Sequence, residues 1–396
     1  MKESETKGNK LNCFEDKKEK LGRYMKIGIL VLSIGSFGAK GFYNLQEIGL
    51  AKALDTLCDE VMVYKLIANT AERQTQAIEG TQSASLTLLP SKQIGSNGIP
   101  DMRYIDKTLD ALVCFSDTQI MLPKVYRWAE KNKIKLIPYI GVVESHSTNK
   151  VKQYVMNCLF SRNVAVYKKC CCCVKTPAVQ ERLASLGVTN TVVTPVGLDL
   201  DLLKKDYESF SPIELKKKYG YSEQDKVLLF IGRLIEEKQP VRMIDILAEL
   251  RKKDAAYKLL MVGTGELKAA VESRIKELDL QDTVQMVERI PNSDIWELYR
   301  LADSFVNLNQ QEIFGMAILE AMYYGCKVVA WTAPGPSLII EDGISGCLAE
   351  SENEIINRII DSEQFGQSAH SRIVGNFTWC NTAQAIINRM GGKNYE

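Results

Sequence analysis

The stretch Leu228-Leu-Phe-Ile-Gly-Arg-Leu-Ile-Glu-Glu-Lys-Gln-Pro240 has the pattern of a buried strand, a glycine turn and the start of a helix. Lys258-Leu-Leu-Met-Val-Gly-Thr-Gly-Glu-Leu267 repeats the first part of this pattern, with an apolar strand that ends in a glycine turn. Short strands that alternate with helices are typical of a parallel sheet with helical crossovers. Ligands of such sheets bind at the carboxyl ends of the strands. The sequence therefore predicts an α/β fold with a doubly wound sheet and a ligand site beside these turns.

Two cations, Arg233 and Lys238, follow the first strand and lie five positions apart. The planar guanidinium of Arg233 can bind two diphosphate oxygens at once, while Lys238 supplies a point charge. Together they can neutralise a leaving nucleoside diphosphate. The turn at Gly263 and Thr264 permits close approach of the backbone to a ribose or a base. These residue types indicate a nucleotide site.

Two carboxylates lie eight positions apart in Glu312-Ile-Phe-Gly-Met-Ala-Ile-Leu-Glu320. A helix that begins near Phe314 would direct backbone N–H groups and the positive end of its dipole at a phosphate or sugar oxygen. Glu312, in the preceding loop, can accept hydrogen bonds from sugar hydroxyls, and Glu320, inside the helix, can hold the diol of a ribose. Two glutamates at this spacing also occur by chance as plain loop and helix carboxylates, so the surrounding motifs decide between the two interpretations.

Taken in order, these elements resemble the family 4 (GT4) retaining glycosyltransferases of the GT-B fold. The resemblance rests on G-R-L-x-x-x-K from Gly232, G-T-G-x-L from Gly263, E-x-F-G-x-x-x-x-E from Glu312 and the later stretch Glu341-Asp-Gly-Ile-Ser-Gly346. It extends over nearly the whole chain from about Met25 and is strongest in the second half. It implies two Rossmann-like doubly wound domains that face each other across a cleft, with a C-terminal helix that crosses back to the first domain.

Three further segments of the chain match or depart from the family pattern. His146 matches by position the family histidine that faces the transferred sugar, where it would hydrogen-bond a sugar hydroxyl rather than act as a base; the alternative is a structural histidine. Residues 35–41 lack the G-x-G-x-x-G spacing of a dinucleotide site and fit instead the first loop of the family, which reaches donor phosphate or acceptor. Asn307-Leu-Asn-Gln-Gln311 stands where family members more often carry a Pro-Ser pair, which puts the surroundings of the donor sugar in question.

The resemblance assigns two groups of site residues. The expected catalytic residues are Arg233, Lys238, Glu312 and His146. The expected donor-binding residues are Gly35, Gly38, Gly232, Gly263, Thr264, Arg289, Ile290, Phe314, Gly315, Met316 and Glu320.

The expected domains follow from the same comparison. Residues 1–24 form a polar, lysine-rich leader that is expected to be disordered, and residues 25–200 an N-terminal acceptor-binding domain. Residues 201–375 form a C-terminal domain that binds the nucleotide-sugar donor, and residues 376–396 the helix that returns. Lysines before the apolar run at residues 27–34 mimic a secretory signal, but the run is short and leads into a glycine loop, so we interpret it as the first strand.

The implied reaction is transfer of a hexose or N-acetylhexosamine from a nucleotide sugar to a hydroxyl acceptor, with retention of configuration. A UDP-sugar is favoured as donor, with GDP-mannose second. Arg233 and Lys238 can supply the charge that a divalent cation supplies elsewhere, so no metal or other cofactor is expected. The departing diphosphate can itself take the acceptor proton on the same face of the sugar, so no protein base is assigned.

Composition and charge bear on partners and location. A chain of 396 residues with 45% hydrophobic and 25% charged residues suggests two domains, each with its own core. Residues 1–200 carry 27 basic against 19 acidic side chains, a net of +8, and residues 201–396 carry 23 against 30, a net of −7. Residues 121–182 hold twelve basic and three acidic side chains. This basic surface is either an ordinary solvated face or a site for anionic lipid or a phosphorylated acceptor.

These observations predict a cytoplasmic protein that acts in cell-surface polysaccharide or glycolipid assembly, with peripheral contact to the inner face of the membrane as an option. No apolar run approaches the roughly 20 residues of a membrane helix, and no nucleic acid is expected as partner. The run Cys170-Cys-Cys-Cys173 cannot enclose one zinc ion if it lies in a strand, because successive side chains alternate between faces. We expect small, buried, reduced thiols there.

Two alternatives, a dehydrogenase and a silent scaffold, belong to other functional classes, and a third, an epimerase, lies within the GT-B enzymes. A nicotinamide-dependent dehydrogenase would need the glycine fingerprint that residues 35–41 lack. A nucleotide-sugar epimerase would need acid and base groups in the first domain, where a chain with two histidines offers few candidates. A catalytically silent nucleotide-sugar-binding scaffold of a glycan-assembly complex remains the main alternative, and absence of turnover would support it.

Overall fold

The computed structural model describes residues 24–34, 45–68, 72–94, 97–117, 119–144 and 150–390. The chain divides into two compact units, one of Met1–Gly197 together with Trp379–Glu396 and one of Leu198–Thr378. Several predictions from the sequence lie outside the described residues. They concern the leader up to Arg23, the loop glycines Gly35 and Gly38, and His146.

The first unit alternates strands and helices along the chain, as the sequence predicted. Its elements are β1 (Lys26–Val31), α1 (Gln46–Asp55), β2 (Glu60–Ala68), β3 (Gln74–Ala77), β4 (Ser85–Ile94), β5 (Asn97–Ile99), β6 (Ala111–Phe115), α2 (Leu122–Lys131), β7 (Lys135–Ile140), α3 (Lys150–Tyr167), β8 (Cys172–Val174), α4 (Pro177–Ser185) and β9 (Thr191–Val193).

The sheet of the first unit has the strand order β3-β4-β2-β1-β6-β7-β8-β9, and β5 pairs with β4. All pairings are parallel except those of β3 and β5 with β4. Ile29, Val63 and Val113, from the three central strands, are fully buried. Strands covered by helices on both faces need such continuous apolar sequence, which explains why they were visible in the sequence.

The second unit is a purely parallel αβ unit over the described residues. Its elements are α5 (Pro212–Lys218), β10 (Lys226–Ile231), α6 (Pro240–Lys253), β11 (Tyr257–Val262), α7 (Lys268–Glu277), β12 (Val284–Val287), α8 (Ile295–Leu301), β13 (Ser304–Asn307), α9 (Met316–Tyr323), β14 (Val328–Trp331), α10 (Pro334–Ile339), β15 (Cys347–Ala349), α11 (Glu352–Ile360) and α12 (Gly366–Asn376).

Its strand order is β12-β11-β10-β13-β14-β15, the order of a doubly wound nucleotide-binding sheet. In this order the chain winds outward in one direction from β10 and then in the other from β13. The two strands lie side by side, with Leu228 opposite Ser304 and Leu229 opposite Phe305. The carboxyl ends of β10 and β13 therefore border the crevice where such sheets bind ligands.

The last helix, α13 (Trp379–Met390), belongs to the first unit. It packs on α1 so closely that a side chain at Gly49 would overlap the indole of Trp379. Thr382 Oγ1 donates a hydrogen bond to the carbonyl oxygen of Pro195 over 2.6 Å. The predicted α/β class, with two Rossmann-like parallel sheets and a C-terminal helix that returns to the first domain, is confirmed.

Cys172 and Cys173 of the cysteine run begin β8, and Cys170 and Cys171 directly precede the strand. Cys170, Cys172 and Cys173 are buried and Cys171 is half-buried. Burial raises the pKa of Cys170 and of Cys173 to about 12, so both thiols stay protonated at neutral pH. Among the helices of the described ranges, none is both long and apolar enough to cross a bilayer.

Candidate active site

The turns that follow β10 and β11 pack against each other backbone to backbone. Gly232 N donates to the carbonyl oxygen of Val262 over 3.0 Å, and Leu234 N donates to that of Thr264 over 3.0 Å. Gly263 has a φ of 148°, and a Cβ placed there would overlap the carbonyl oxygen of Gly232. The predicted glycine turn thus has a steric cause, since no side chain fits between the two turns.

Both predicted cations lie after β10. Arg233 is exposed, and its guanidinium has no ion-pair partner among the residues that the structure describes. Lys238 ends a short 3-10 helix, Glu236–Lys238, and its ammonium contacts Glu312 Oε2. The structure therefore brings one cation to the predicted catalytic carboxylate and leaves the other open to a ligand.

The Glu312 carboxylate is held by three donors on one oxygen. Besides Lys238, the side-chain amides of Asn307 and Asn309 donate to Oε2 over 3.4 and 3.3 Å. Asn309 is itself fixed, because its backbone N–H donates to Asn307 Oδ1 over 3.0 Å. Within the described residues, every hydrogen bond to this carboxylate goes to Oε2. Oε1 therefore remains available to a ligand hydroxyl.

The two asparagines belong to the segment that departs from the family pattern. Sequence reasoning treated that departure as an uncertainty and did not assign Asn307 or Asn309 a role. The structure shows that they orient Glu312. Asn307 could have been identified as a site residue from its position at the end of an apolar strand, because the carboxyl ends of parallel strands meet at one edge of the sheet.

Helix α9 begins at Met316, two residues later than the predicted start near Phe314. Gly315 precedes it with a φ of 99°, a conformation that favours glycine. Gly335 N donates to the carbonyl oxygen of Glu312 over 2.8 Å, and a side chain at Gly335 would overlap the carbonyl oxygen of Phe314. The contacts of Gly335 therefore fix the loop before α9. The first turn of the helix has N–H groups that do not take part in intrahelical hydrogen bonds.

Glu320 lies in α9 and is only 5% exposed. Its Oε2 accepts a hydrogen bond from the hydroxyl of Tyr299 over 2.9 Å. Tyr299 comes from α8, is buried, and stacks on Tyr324 with ring centroids 5.9 Å apart. Sequence reasoning missed Tyr299 because its spacing marks it as an ordinary core residue. Its hydroxyl fixes the orientation of the Glu320 carboxylate, which is predicted to bind the ribose.

Arg289 and Ile290 follow β12 at the same edge of the sheet. Gly263 N donates to the carbonyl oxygen of Val287, the last residue of β12, over 2.9 Å. The turn after β11 and the segment after β12 are therefore neighbours. Arg289 is exposed and pairs with no carboxylate among the described residues.

In the first unit, Asp117 fixes the backbone that directly follows β7 and precedes the segment that contains His146. Asp117 Oδ1 accepts hydrogen bonds from the backbone N–H groups of Gly141 and Val142, the second over 3.1 Å. Oδ2 accepts one from Lys175 Nζ over 2.7 Å, and the Lys175 side chain is almost buried. No sequence motif marked this pair, because the two residues lie 58 positions apart.

An Asp-x-Asp sequence, the pattern that holds the cation in divalent-dependent transferases, occurs at Asp199 and Asp201. In the structure it lies in the loop at the start of the second unit, where Asp201 pairs with Lys205 over 2.9 Å. Over the part of the chain that the structure describes, no group of three or more His, Cys, Asp and Glu side chains is arranged to hold a metal ion.

Comparison with known proteins adds sequence relatives. Residues 212–371 match the family model "Glycosyl transferases group 1". The chain is 26% identical over 171 residues to the alpha-monoglucosyldiacylglycerol synthase of Streptococcus pneumoniae, covering 43% of this chain and 39% of that protein. It is 26% identical over 207 residues to the D-inositol 3-phosphate glycosyltransferase of Segniliparus rotundus, covering 49% and 45%. The alignments thus span less than half the length of these curated relatives.

Solved structures of similar fold cover most of the chain. Sucrose-phosphate synthase of Thermosynechococcus elongatus superposes with a TM-score of 0.70 at 17% identity, over 93% of this chain and 98% of that one. The Anabaena protein HepE, in complex with UDP and glucose, superposes with a TM-score of 0.67 at 18% identity, over 93% and 100%. At such identities the likeness supports the fold alone.

Proposed function

We propose that the chain is a retaining glycosyltransferase, since residues 212–371 match the glycosyl transferases group 1 family model. It moves a hexose or N-acetylhexosamine from a nucleotide sugar to a hydroxyl acceptor, with a UDP-sugar as the favoured donor and GDP-mannose second. The observation that carries the proposal is the contact of Lys238 with Glu312 at the carboxyl ends of β10 and β13. Arg233 follows the same strand as Lys238, and its guanidinium is exposed.

In this mechanism the two cations bind the diphosphate of the donor. The bond between the anomeric carbon and the phosphate oxygen breaks, and a bond from the acceptor oxygen forms on the same face of the sugar. The acceptor proton passes to the departing diphosphate, whose charge Arg233 and Lys238 stabilise. Glu312 Oε1 accepts hydrogen bonds from sugar hydroxyls, and Glu320, oriented by Tyr299, accepts those of the ribose. No protein base is needed.

The donor-binding residues and the N-terminal residues complete the proposed site. The turns at Gly232 and Gly263 lie beside the nucleotide, with Thr264, Arg289 and Ile290 near the base. The first turn of α9, at Phe314, Gly315 and Met316, binds sugar or phosphate oxygens. His146, Gly35 and Gly38 keep the roles that the sequence resemblance implied.

A panel of nucleotide sugars tests the proposal. We expect one donor class to raise the free energy of unfolding by about 2.7 kcal/mol at 100 times its dissociation constant, and to be hydrolysed slowly. EDTA should change neither effect, because the cations are side chains. Glu320→Ala should lose the stabilisation, whereas Glu223→Ala, an exposed carboxylate of the same unit, should keep it. Thermal unfolding and product analysis give both readouts.

The outcomes separate the main alternatives. Stabilisation without hydrolysis or transfer, with all acceptors tried, would support the silent scaffold. No response to any donor in wild-type protein would contradict the nucleotide-sugar site itself. A response that EDTA abolishes would contradict the metal-independent mechanism and leave the donor assignment standing.

We also propose that the acceptor is lipid-linked or otherwise presented at an anionic membrane. Helix α3 exposes Val151, Tyr154 and Val155 by 75%, 72% and 51%, at the i, i+3, i+4 spacing that places side chains on one helix face. Lys150 and Arg162 are exposed on the same helix. Apolar side chains beside cations are the pattern of helices that lie on anionic lipid. One relative, that of S. pneumoniae, is named alpha-monoglucosyldiacylglycerol synthase.

Vesicle sedimentation tests this surface. We expect wild-type protein to bind vesicles that contain phosphatidylglycerol more tightly than pure phosphatidylcholine vesicles. Replacing Val151, Tyr154 and Val155 together with serine should weaken binding by about tenfold or more, because apolar burial and charge attraction act together. A matched triple of exposed side chains in the second unit, Ile213, Ile344 and Ile360 to serine, should bind like wild type. Equal binding of both triples would contradict the assignment.

A further inference from the structure

The backbone is strained at Gln239, which directly follows Lys238 and joins the 3-10 helix to α6. Gln239 has a φ of 52° and a ψ of 49°, the left-handed conformation, which is unfavourable for a residue with a side chain. It also precedes Pro240, and a residue before proline normally adopts an extended conformation. Two independent preferences of the chain therefore oppose the conformation of Gln239.

The other left-handed residues have an ordinary cause. Within the described ranges, two more residues with side chains have a positive φ, Lys133 and Asp279. Each lies one residue beyond the C-cap of a helix, α2 or α7, where a left-handed residue commonly ends the helix. Gln239 instead begins a helix, because its carbonyl oxygen accepts a hydrogen bond from Met243 N over 3.2 Å. Its conformation therefore sets the angle between the 3-10 helix and α6.

Helix α6 cannot adapt to a different conformation at Gln239. Its residues Ile244 and Leu247 are fully buried in the core of the second unit, where close packing resists movement. A rotation at Gln239 would therefore move the 3-10 helix and shift the Lys238 ammonium away from Glu312. Misplacing a catalytic group by about 1 Å costs a reaction about 100-fold in rate.

Arg242 holds the side chain of Gln239. Arg242 Nη1 donates to Gln239 Oε1 over 2.5 Å. The guanidinium carbon lies 5.3 Å from the centroid of the Trp331 ring, and Nε lies 3.3 Å from Glu352 Oε2. Trp331 ends β14 and Glu352 begins α11, so Arg242 is anchored to two other elements of the same unit. The planar guanidinium is therefore fixed before it binds the glutamine amide.

We propose that Gln239 is a positioning residue for Lys238 and that Arg242 keeps it in its strained conformation. The inference rests on the proposed function, in which Lys238 stabilises the departing diphosphate. Strained residues at functional sites persist where surrounding contacts determine their conformation, and the contacts of Arg242 do so here. A purely structural interpretation assigns the same contacts to the stability of α6, and kinetic measurements distinguish the two.

Arg242→Met tests the proposal by the kinetics of hydrolysis of the UDP-sugar or GDP-mannose that the panel identifies. Methionine keeps the apolar stem and loses the contacts with Gln239 and Glu352. We expect kcat to fall about 10- to 100-fold with KM within about twofold of wild type, because a displaced ammonium stabilises the transition state less. The control is Arg274→Met, which removes an arginine of similar exposure that binds Asp245 of the same helix over 2.7 Å. It should leave both constants unchanged.

Gln239→Gly separates positioning of Lys238 from support of the helix. Glycine adopts a positive φ without a side chain that has to be held. In the Gln239→Gly protein, Arg242→Met should therefore change kcat by less than about twofold. If Arg242 only stabilised α6, its replacement would have the same effect in both backgrounds, since the contacts with Trp331 and Glu352 are lost in both.

Gln239→Leu is a second variant that preserves the anchors of Arg242. It removes the hydrogen bond to Gln239 and keeps the contacts of the guanidinium with Trp331 and Glu352. Leucine is also unfavourable at a positive φ, so nothing then stabilises the left-handed conformation. We expect the same fall in kcat at similar KM as in Arg242→Met. A normal kcat would contradict the proposal even if Arg242→Met failed to fold.

Acetylation of Lys238 reports its position without any activity. Its side chain is 25% exposed and contacts the Glu312 carboxylate, whereas Lys252 on α6 is 68% exposed and serves as the internal standard. Limited reaction with acetic anhydride should be about two- to fivefold faster in Arg242→Met, because the amine loses the ion pair. The increase should be absent in the Gln239→Gly background. Peptide mass mapping gives the ratio of the two lysines.

The outcomes separate this inference from the proposed function. A lower kcat and faster acetylation in Arg242→Met, both suppressed by Gln239→Gly, support it. Equal losses of kcat in both backgrounds, a change in KM alone, or unchanged acetylation of Lys238 overturn it. If wild-type protein neither binds nor hydrolyses any donor, the proposed function fails, and the acetylation pattern alone then decides whether Gln239 positions Lys238.

Discussion

Replacing Lys238 with methionine is expected to lower kcat for sugar transfer by about 100- to 1,000-fold, the usual effect of removing one preorganised group that stabilises developing charge. The ammonium lies beside the carboxylate that would face the donor sugar, at the crevice between β10 and β13. Negative charge grows on the leaving diphosphate as the glycosidic bond breaks. Methionine keeps the length and the apolar stem of lysine and removes only the charge.

The kinetic signature distinguishes catalysis from binding. An interaction that strengthens in the transition state lowers kcat and kcat/KM together, whereas loss of uniform binding raises KM alone. Lys253→Met, an exposed lysine at the end of α6, serves as the matched control and should leave both constants unchanged. A Lys238→Met enzyme with normal kcat and raised KM would contradict the assigned role.

Glu312→Gln provides the second arm of a double-mutant cycle. Each single change breaks the contact between Lys238 and Glu312 and leaves the partner without its opposite charge. Two residues in direct contact commonly couple by about 0.5–3 kcal/mol. We therefore expect the double variant to lose less activity than the product of the two single losses. Strict additivity would show that the two side chains act independently.

Gly263→Ala is expected to lower the free energy of unfolding by about 3 kcal/mol or more, because the strained φ and the overpacking each cost about 1–3 kcal/mol. The φ of 148° is unfavourable for alanine, and the new Cβ would overlap the carbonyl oxygen of Gly232. Backbone cannot move aside as a flexible side chain can. The turn that carries Arg233 would shift, and donor binding would be lost with it.

Gly343→Ala separates the cost of the positive φ from the cost of the steric overlap. Gly343 also has a positive φ, of 70°, but a Cβ there would meet nothing within 4 Å. Its cost should be about 1 kcal/mol, the conformational part alone. Thermal or denaturant unfolding of both variants measures the difference. If Gly263→Ala is no less stable than Gly343→Ala, the close approach of the two turns does not exist in solution.

The fold could be predicted from the sequence because its two sheets depend on local signals. Strands such as β10 and β11 are buried on both faces, so each is a continuous apolar run that ends in a glycine turn. Gly263 and Gly315 could be identified from the sequence because the backbone has a positive φ at both positions, a conformation that favours glycine. The contact between Lys238 and Glu312 was not predicted from the sequence; the structure forms it because both residues follow neighbouring strands, β10 and β13.

The remaining site residues are held by contacts between distant segments. Tyr299 reaches Glu320 across 21 positions, and Asp117 reaches Lys175 across 58. In sequence these are ordinary helix and loop residues, and only packing gives them a role. The assignments of His146, Gly35 and Gly38 stay predictions, because they lie outside the described residues.

In the proposed reaction, Glu312 competes with the departing diphosphate for the Lys238 ammonium. After the sugar has moved to the acceptor, the diphosphate must give up this cation before it can dissociate, and the carboxylate stands ready to replace it. A lysine without such a partner would be left unpaired in a largely buried position, which is costly. In the proposed reaction, this exchange of one anion for another would lower the barrier to dissociation of the diphosphate and reduce inhibition by it.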